Sequence, residues 1–390
     1  MSATEPPRVL HVSHTSHPGG AELALARLVG QDRPWRAALH VPPGGGAFDH
    51  LRGADVTVAD DLPALPTGGT RSRAPLLAAR YLAALRAGAG VLRRSPLFRD
   101  ADLVHANTAA AAIICALADR RHRRPLVVHL RGPVNAETLG PLGLPAFTRL
   151  ALRHADGLVA NSRFTLASVV GRPRVPAHRV VLQSPIGIGE RVLRPRVRPV
   201  VRAVGMVGRL QPWKGQHVFL RAFAAALPDS DVRAYLCGAP LFGEAAYEAE
   251  LRALAVRLGV ADRVRFLGHV DDVSAVLDSI DILVHASLGP EPLGQTVLQG
   301  LARAKPVIAT EGGGPGEWIR PGVNGLLVPP GRPEALAGAL RRLVASHRLR
   351  SDLAAGAAST PGLLSDPECA ARHGEFFDAV RRAHRSGAVR

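Results

Sequence analysis

The chain of 390 residues is poor in lysine, which occurs only at Lys214 and Lys305, although its formal net charge is +17. Nearly all of its basic residues are therefore arginines. Together with abundant alanine, glycine and proline, this skew is typical of a codon bias rather than of a surface built for a polyanion. A basic chain still favours phosphate-bearing ligands, acidic lipid surfaces or nucleic acid, without choosing among them.

Cysteine is also scarce, because only Cys115, Cys237 and Cys369 occur and they lie far apart. This odd, scattered set excludes a disulfide framework or a metal knuckle and indicates a reducing compartment. No apolar run reaches the length of a bilayer span, and the short run at residues 9–12 suits a first strand better than a signal peptide. We expect a cytoplasmic protein that is soluble or, at most, peripheral at the inner membrane surface.

Further absences narrow the functional classes. Aromatic residues make up only 4% of the chain, no nucleic-acid-binding motif occurs, and basic residues are spread along the sequence, so no nucleic-acid partner is expected. A nucleic-acid-binding protein remains the least favoured alternative. There is no GxGxxG fingerprint of a dinucleotide site, and no Ser or Thr follows Lys214, which disfavours a Walker-A nucleoside triphosphatase.

What the sequence does contain is enough apolar surface, 47% of residues, for two cores in a chain of this length. Strand and helix patterns alternate throughout, which predicts an α/β fold with Rossmann-like domains. A proline-rich, charged stretch at 194–199 is typical of a linker between domains. We predict a first domain at 1–193, a second at 200–366, and a final helix at 367–390 that packs back on the first domain.

Residues 289–314 carry the clearest pattern of a site. A turn containing Glu291 leads into a helix predicted to begin near Leu293, followed by a buried strand and a triple-glycine loop. The unpaired N–H groups and positive dipole end of that helix suit a diphosphate, and Gly294 lets a ligand approach the backbone. Gln299 lies about two turns along, where its amide can reach another part of the ligand. The combination suggests a nucleotide sugar; an ordinary capped helix is the alternative.

A cationic loop at residues 208–215 precedes residues 289–314 in the sequence. It lies between a predicted strand at 201–207 and a predicted helix at 216–226. Arg209 and Lys214 lie in this glycine-bounded loop. Two cations there would neutralise the charge that builds on a departing diphosphate. The alternative is that both are solvated surface charges.

In the first domain, Gly19 and Gly20 follow the first strand, where they permit close approach of a phosphate or merely form a tight turn. His129 and Arg131 end the predicted strand at 126–130, and ligands of parallel sheets bind beyond strand carboxyl ends. A buried strand-end histidine is the competing interpretation for His129. The basic amphipathic stretch at 71–99 fits either an anionic membrane surface or an outer helix packed on the sheet.

Taken in order, nine motifs resemble those of the family 4 glycosyltransferases and extend over nearly the whole chain. They are GGAE (19–22), DLVHANT (102–108), VVHLRG (127–132), NSRF (161–164), VGRLQPWKG (207–215), FLGHVDD (266–272), PEPLGQTVLQG (290–300), KPVIATEGGGPGEWI (305–319) and GVNGLLVPPG (322–331). The resemblance implies a GT-B architecture: two Rossmann-like domains facing across a cleft, acceptor on the first, nucleotide sugar mainly on the second. It also implies a retaining transfer from a nucleoside-diphosphate sugar to a hydroxyl acceptor (a glycan, lipid-linked sugar or natural product), without a metal or cofactor.

The resemblance also assigns roles to particular residues. Arg209 and Lys214 would hold the donor diphosphate, Glu291 the hydroxyls of the donor sugar, and His129 would lie beside that sugar. Further candidates for donor binding are Gly19, Gly20, Gly208, His269, Pro292, Leu293, Gly294, Gln295, Thr296 and Gln299, and candidates for acceptor binding are His17 and Arg131. The family pattern has a second glutamate where this chain has Gln299, which leaves ribose affinity or nucleotide choice open. A nucleotide-sugar epimerase of similar architecture is the alternative within the enzyme class.

Overall fold

The structure is a computed structural model that describes residues 5–53, 55–66, 75–240 and 244–387. It forms two compact units, one made of Met1–Pro185 with Asp366–Arg390 and the other of Ile186–Ser365. The chain therefore enters the second unit at Ile186, so that residues 186–193 and the stretch at 194–199 belong to that unit. Of the basic stretch at 71–99, residues 71–74 lie outside the described residues.

The first unit contains a seven-stranded parallel sheet in the order β3-β2-β1-β4-β5-β6-β7. Its strands are rich in Val, Leu and Ala because a parallel sheet is covered on both faces by helices and has almost no solvent-facing side. The strands are β1 (Arg8–Val12), β2 (Arg36–His40), β3 (Val56–Ala59), β4 (Leu103–Ala106), β5 (Leu126–Leu130), β6 (Gly157–Ala160) and β7 (His178–Val181).

Helices connect these strands, and the last helix returns to the same unit. That helix, α15, packs Phe377 and Val380 into a core cluster that also contains Val9 and Leu25. The helices are α1 (Gly20–Gly30), α2 (Pro75–Arg94), α3 (Pro96–Arg99), α4 (Ala109–Ala118), α5 (Ala136–Ala146, kinked at Gly140), α6 (Leu152–His154) and α7 (Arg163–Ala167), with α15 at Asp366–Arg385, a 3-10 turn at Asp49–Leu51 and a π-helical turn at Phe147–Ala151.

The second unit contains a six-stranded parallel sheet in the order β10-β9-β8-β11-β12-β13. Its core is built from helix faces such as Phe219 and Phe223 of α8 against Val204 and Val284 of the sheet. The strands are β8 (Ala203–Val207), β9 (Arg233–Cys237), β10 (Val264–Gly268), β11 (Ile282–His285), β12 (Val307–Thr310) and β13 (Leu326–Val328). The helices are α8 (Gln216–Ala226), α9 (Ala245–Arg257), α10 (Val273–Ser279), α11 (Gln295–Ala302), α12 (Gly313–Trp318), α13 (Pro333–Ala345) and α14 (His347–Ala358), with a 3-10 turn at Pro212–Lys214.

Two details of the central stretch differ from the prediction. Helix α11 begins at Gln295 rather than near Leu293, because Gly294 adopts a left-handed conformation with φ of 71° and caps the helix. The triple glycine is not simply a loop, since Gly313 starts the short helix α12. In the described part of the chain, no helix combines the length and the hydropathy that a membrane crossing requires.

Candidate functional site

The cationic loop and the acidic turn follow two neighbouring strands of the second sheet. Strand order reverses between β8 and β11, and Arg209 and Lys214 follow β8 whereas Glu291 follows β11. In open α/β sheets, ligands bind outside the carboxyl ends of the strands at such a switch point. The fold therefore brings together Lys214 and Glu291, which are 77 residues apart in the sequence.

Glu291 is the centre of a compact polar cluster at this edge. Lys214 Nζ donates to Glu291 Oε1 at 2.5 Å, and Ser287 Oγ donates to the same oxygen at 2.5 Å. His285 Nε2 lies 3.0 Å from that oxygen, and Thr310 Oγ1 lies 3.3 Å from His285 Nδ1. One carboxylate oxygen is thus surrounded by an ammonium, a hydroxyl and an imidazole, while the Glu291 side chain is only 8% exposed.

The charge state of Glu291 follows from these neighbours. Burial raises the pKa of its carboxyl, but the charges of Lys214 and His285 and their hydrogen bonds outweigh burial and hold that pKa well below its usual value. Glu291 is consequently ionised at neutral pH. A buried carboxylate of this kind is stable because its charge is paired and hydrogen-bonded.

Close backbone contacts hold the cluster in place. A Cβ on Gly215 would lie 2.0 Å from the carbonyl oxygen of Ala286, so only glycine lets the cationic loop approach the segment after β11 this closely. Leu288 N donates to the Trp213 carbonyl at 2.8 Å across the same contact. On the other side, Gly314 N donates to the Glu291 carbonyl at 2.8 Å, which connects the triple glycine to the acidic turn.

The start of α11 forms the remaining side of this region. Its cap, Gly294, has no side chain to satisfy the first N–H groups, and a Cβ there would lie 2.5 Å from Pro315 Cγ. Helix α11 therefore begins without a side-chain cap, after Pro292 and Leu293, and Gln295 and Thr296 are its first residues.

Gln299 lies on α11 but is almost fully buried, and its Nε2 donates to the carbonyl of Ile186 at 2.7 Å. Gln295, one turn earlier, makes a longer contact of 3.4 Å with the same carbonyl. The Gln299 amide therefore holds the segment by which the chain enters the second unit. Ribose binding by Gln299 stays a prediction.

Other candidate residues of the second unit make contacts outside the Glu291 cluster. Gly208 donates its N–H to the Cys237 carbonyl at 2.8 Å, which joins the loop after β8 to the end of β9. The carbonyl of Arg209 accepts from Gln216 Nε2 at 2.7 Å. His269 follows β10, two strands from β8, and its exposed ring lies 3.4 Å from Asp271.

The sequence reasoning missed four residues around Glu291, namely His285, Ser287, Thr310 and Trp213. His285 ends β11 and Ser287 follows it, so a polar pair at a strand end was the signal that could have revealed them. Trp213 was read only as part of a motif, yet its ring lies 4.4 Å from Lys214 Nζ, a cation–π contact.

The first unit has its own switch point, between β1 and β4. The loops that follow these strands are joined by a hydrogen-bonding contact of 2.8 Å between His14 Nδ1 and Thr108 Oγ1. The loop after β1 carries His17, and Gly19 caps the 11-residue helix α1, of which Gly20 is the first residue. The predicted residues of the first domain thus also lie at a strand-end edge.

His129 and Arg131 lie at the end of β5 in very different surroundings. Arg131 donates to Asn107 Oδ1 through Nε at 3.1 Å and Nη2 at 2.5 Å, and to Ser184 Oγ at 2.7 Å. Burial lowers the pKa of Arg131 to about 10, with Glu22 opposing the shift. His129 is 1% exposed, and its Nδ1 lies 3.2 Å from His105 Nε2, so it is a buried strand-end histidine.

Within the described residues, the side chains that could hold a metal ion form one group, made of His122, Asp156 and His384. Asp156 accepts from His122 at 2.8 Å, from His384 at 3.0 Å and from the backbone N–H of Leu126 at 2.8 Å. Asp156 precedes β6, so this group lies at the opposite sheet edge from the switch-point loops. Its hydrogen bonds fasten the end of α15 to the first unit.

Solved structures resemble this chain over nearly its full length. Anabaena HepE in complex with UDP and glucose matches with a TM-score of 0.78 and 26% identity, over 96% of this chain and 100% of that one. Sucrose-phosphate synthase from Thermosynechococcus elongatus matches with a TM-score of 0.76 at 18% identity, over 97% of this chain and 100% of that one, and shows the fold alone. The two Rossmann-like sheets are those of GT-B glycosyltransferases.

Sequence comparison gives the family. Residues 19–185 match Glycosyltransferase Family 4, and residues 201–346 match the Glycosyl transferases group 1 family. The D-inositol 3-phosphate glycosyltransferase of Salinispora arenicola is 30% identical over 69% of this chain and 67% of its own length. The chain belongs to the family 4 glycosyltransferases, which confirms the resemblance that the nine motifs indicated.

Other relatives are matched over less of their length. The lipopolysaccharide core biosynthesis glycosyltransferase LpsE of Rhizobium meliloti is 38% identical over 41% of this chain and 44% of its own length. The D-inositol 3-phosphate glycosyltransferase of Salinispora tropica is 31% identical over 69% of this chain and 62% of its own length. The chain thus spans less than two thirds of these two relatives.

Proposed function

We propose that the protein is a retaining glycosyltransferase that moves a sugar from a nucleoside-diphosphate sugar to a hydroxyl group of an acceptor. The observation that carries the proposal is the Lys214–Glu291 pair, at 2.5 Å, four residues before the first residue of α11, a helix with no side-chain cap. An ammonium and a helix N-terminus suit a diphosphate, and an ionised carboxylate suits sugar hydroxyls. Both chemistries meet at one switch point.

The chemical step needs no nucleophile from the protein. The bond between the anomeric carbon and the diphosphate oxygen breaks, and the acceptor oxygen forms its bond to that carbon on the same face. The proton of the acceptor hydroxyl passes to an oxygen of the departing diphosphate. Arg209, Lys214 and the N–H groups of α11 stabilise the leaving group, so the protein contributes positioning and electrostatics.

The names of related proteins support the donor class. Anabaena HepE has been solved with UDP, with UDP and glucose and with UDP-glucose, and it shares 26% identity with this chain. We propose a nucleotide sugar as co-substrate, with no metal or other cofactor. The acceptor class that we propose is a hydroxyl-bearing glycan, lipid-linked sugar or natural product.

A panel of nucleotide sugars, assayed for slow hydrolysis and for thermal stabilisation, tests the proposal. One donor should stabilise the protein and release free nucleoside diphosphate in the presence of EDTA. Product analysis separates transfer from epimerisation, because transfer gives a glycosylated acceptor and epimerisation needs no acceptor. If no nucleotide sugar binds, the proposal is wrong, and strong, salt-sensitive DNA binding would then favour the nucleic-acid alternative.

We also propose a cytoplasmic location, with peripheral contact to anionic membranes through the basic stretch at 71–99. In the described part of that stretch, Leu85, Ala89 and Leu92 of α2 are buried in the core, whereas Leu76 is exposed. The buried stripe serves packing, so membrane contact would depend on the exposed arginines and Leu76. Sedimentation with anionic vesicles, compared with neutral vesicles, tests this contact.

A further inference from the structure

A row of three buried histidines crosses adjacent strands of the first sheet. His11 of β1, His105 of β4 and His129 of β5 are each no more than 1% exposed. His11 Nδ1 lies 2.9 Å from His105 Nδ1, and His105 Nε2 lies 3.2 Å from His129 Nδ1. At the other end, the indole N–H of Trp35 donates to His11 Nε2 at 3.0 Å.

Counting protons along this row fixes every ring. Trp35 can only donate, so His11 Nε2 carries no proton. Each of the two contacts between rings holds one proton at most, because two N–H groups cannot point at each other. Each imidazole needs at least one proton, and the sites that remain are the two contacts and His129 Nε2. Three rings therefore fill three sites, and His129 carries its proton on Nε2.

We propose that Trp35 is a positioning residue that acts through His11 and His105 to hold His129 as an N–H donor at Nε2. Nothing else in the row distinguishes this arrangement from the reversed one, in which each of the three rings carries its proton on its other nitrogen. In the reversed row, His11 Nε2 would carry an N–H aimed at the indole N–H. The indole thus selects the direction of the whole row.

The surroundings keep the row at this proton count. Burial lowers the pKa of His11 to about 3, and it lowers the pKa values of His105 and His129 well below their usual value. The charges of Arg33 and Arg131, and His373, act in the same direction on members of the row. No group that acts on the row therefore favours an additional proton.

The end of the row lacks a partner among the described residues, because His129 Nε2 is buried there without a hydrogen bond. Such a donor is costly to leave unsatisfied, which indicates that an acceptor oxygen of a ligand or water belongs beside it. The neighbouring ring of His373 lies 5.7 Å away, ring centroid to centroid. Because His373 Nδ1 donates to the Cys369 carbonyl at 2.7 Å, its neutral ring carries no proton on Nε2. The two rings have opposite tautomers.

That contrast supplies the test. In nitrogen spectra of the full-length protein labelled at histidine, with no ligand added, we expect His129 to show an N–H at Nε2 and His373 an N–H at Nδ1. In Trp35→Phe the selecting donor is gone, so the His129 signals should move towards a mixture of tautomers while those of His373 stay. An unprotonated Nε2 in wild-type His129, or an unchanged His129 in Trp35→Phe, would overturn the proposal. If Trp35→Phe does not fold, an unprotonated Nε2 in wild-type His129 would still overturn the proposal.

Phe377→Leu is the matched control, because Phe377 contacts the rings of Trp35, His11 and His105 without hydrogen-bonding to them. It should lower stability and leave the His129 tautomer unchanged; a tautomer change of the size seen in Trp35→Phe would assign the effect to packing.

The consequence for turnover rests on the proposed function. There, loss of one donor predicts about a tenfold fall in kcat for Trp35→Phe. If the wild-type protein turns over no nucleotide sugar, the proposed function is wrong. The nitrogen spectra would still test the tautomers of the histidine row, because they do not depend on turnover.

Discussion

The two units share a sheet architecture and place polar side chains at a strand-order reversal, yet they handle buried polarity in opposite ways. The second unit pairs full charges, with the ammonium of Lys214 beside the ionised Glu291. The first unit buries neutral imidazoles whose pKa values are lowered by desolvation. One fold therefore supports both a charged cluster and an uncharged hydrogen-bonded row.

The difference follows from what surrounds each cluster. Glu291 lies beside an ammonium and loops that lead to a helix N-terminus, so its charge is paired and oriented. The histidine row lies between strands and the aromatic face of Phe377, where an unpaired charge would be costly. A charged cluster suits a ligand with negative charge, whereas a neutral row supplies a directed hydrogen bond.

The largest effect should come from removing the cation of the second unit. Lys214→Ala should lower turnover at least about a hundredfold, the size typical of losing one preorganised charge stabiliser. Lys305→Ala is the matched control, because the only other lysine precedes β12 at the opposite sheet edge and donates to the Ile280 carbonyl at 3.1 Å. Steady-state kinetics of both variants test this prediction, and Lys305→Ala should keep the wild-type turnover. Equal rates for Lys214→Ala and wild type would show that Lys214 takes no part in the mechanism.

The next largest effect should come from lowering the pH, which should destabilise the first unit at a higher pH than the Glu291 cluster of the second. The pKa values of His11 and His373 are lowered to about 3 and about 4, so between pH 6.5 and these values the unfolded chain binds protons that the folded unit does not. The first unit then loses stability as pH falls, by about 2 kcal/mol for each of these histidines from pH 7 to 5. Glu291 has a lowered pKa, so its contribution is lost only below the usual range of a carboxyl.

Hydrogen exchange, corrected for intrinsic exchange rates, would measure the loss of stability with falling pH in each unit separately. Amides of β1 and β4 should lose protection between pH 7 and 5, whereas the Glu291 cluster gives no reason for those of β8 and β11 to do so. Equal losses in both units would contradict the contrast between a neutral row and a charged cluster.

A smaller effect should follow from adding one methyl group to the cationic loop. Gly215 and Gly259 both have positive φ, 78° and 69°, but only at Gly215 would a Cβ meet the backbone, 2.0 Å from the Ala286 carbonyl oxygen. Both alanine variants should lose about 1–2 kcal/mol from the left-handed conformation. Gly215→Ala should lose more, and it alone should lower turnover, because the loop that carries Lys214 must move. Identical unfolding curves would argue against a close approach.

The smallest effect concerns Gln299. In Gln299→Glu a carboxylate cannot donate to the Ile186 carbonyl, which the amide contacts at 2.7 Å, so we expect about 1 kcal/mol of lost stability. The enzyme should remain active with altered donor affinity. Gln295→Glu, where the contact is 3.4 Å, serves as the control and should cost less. A folded but inactive Gln299→Glu would show that the position has a different role.

Much of the fold could be predicted from local patterns. The predicted strand at 126–130 and the predicted helix at 216–226 have the bounds of β5 and α8, because apolar runs and glycine turns mark them in the sequence. Ser162, in the motif at 161–164, caps α7 and accepts from Thr165 N at 3.0 Å. The predicted start of α11 near Leu293 differs from the observed start because local composition does not reveal that Gly294 adopts the left-handed conformation and caps the helix.

The sequence by itself determined the family, the alternation of strand and helix, and the two segments that carry Lys214 and Glu291, since these follow from local composition and ordered motifs. Only the tertiary structure decided that His285 and Ser287 share an oxygen of Glu291, that Gln299 contacts Ile186, and that three histidines and Trp35 form one row. The physical reason is that hydrogen bonds between strand ends depend on strand order and register. A linear pattern of residues does not specify either.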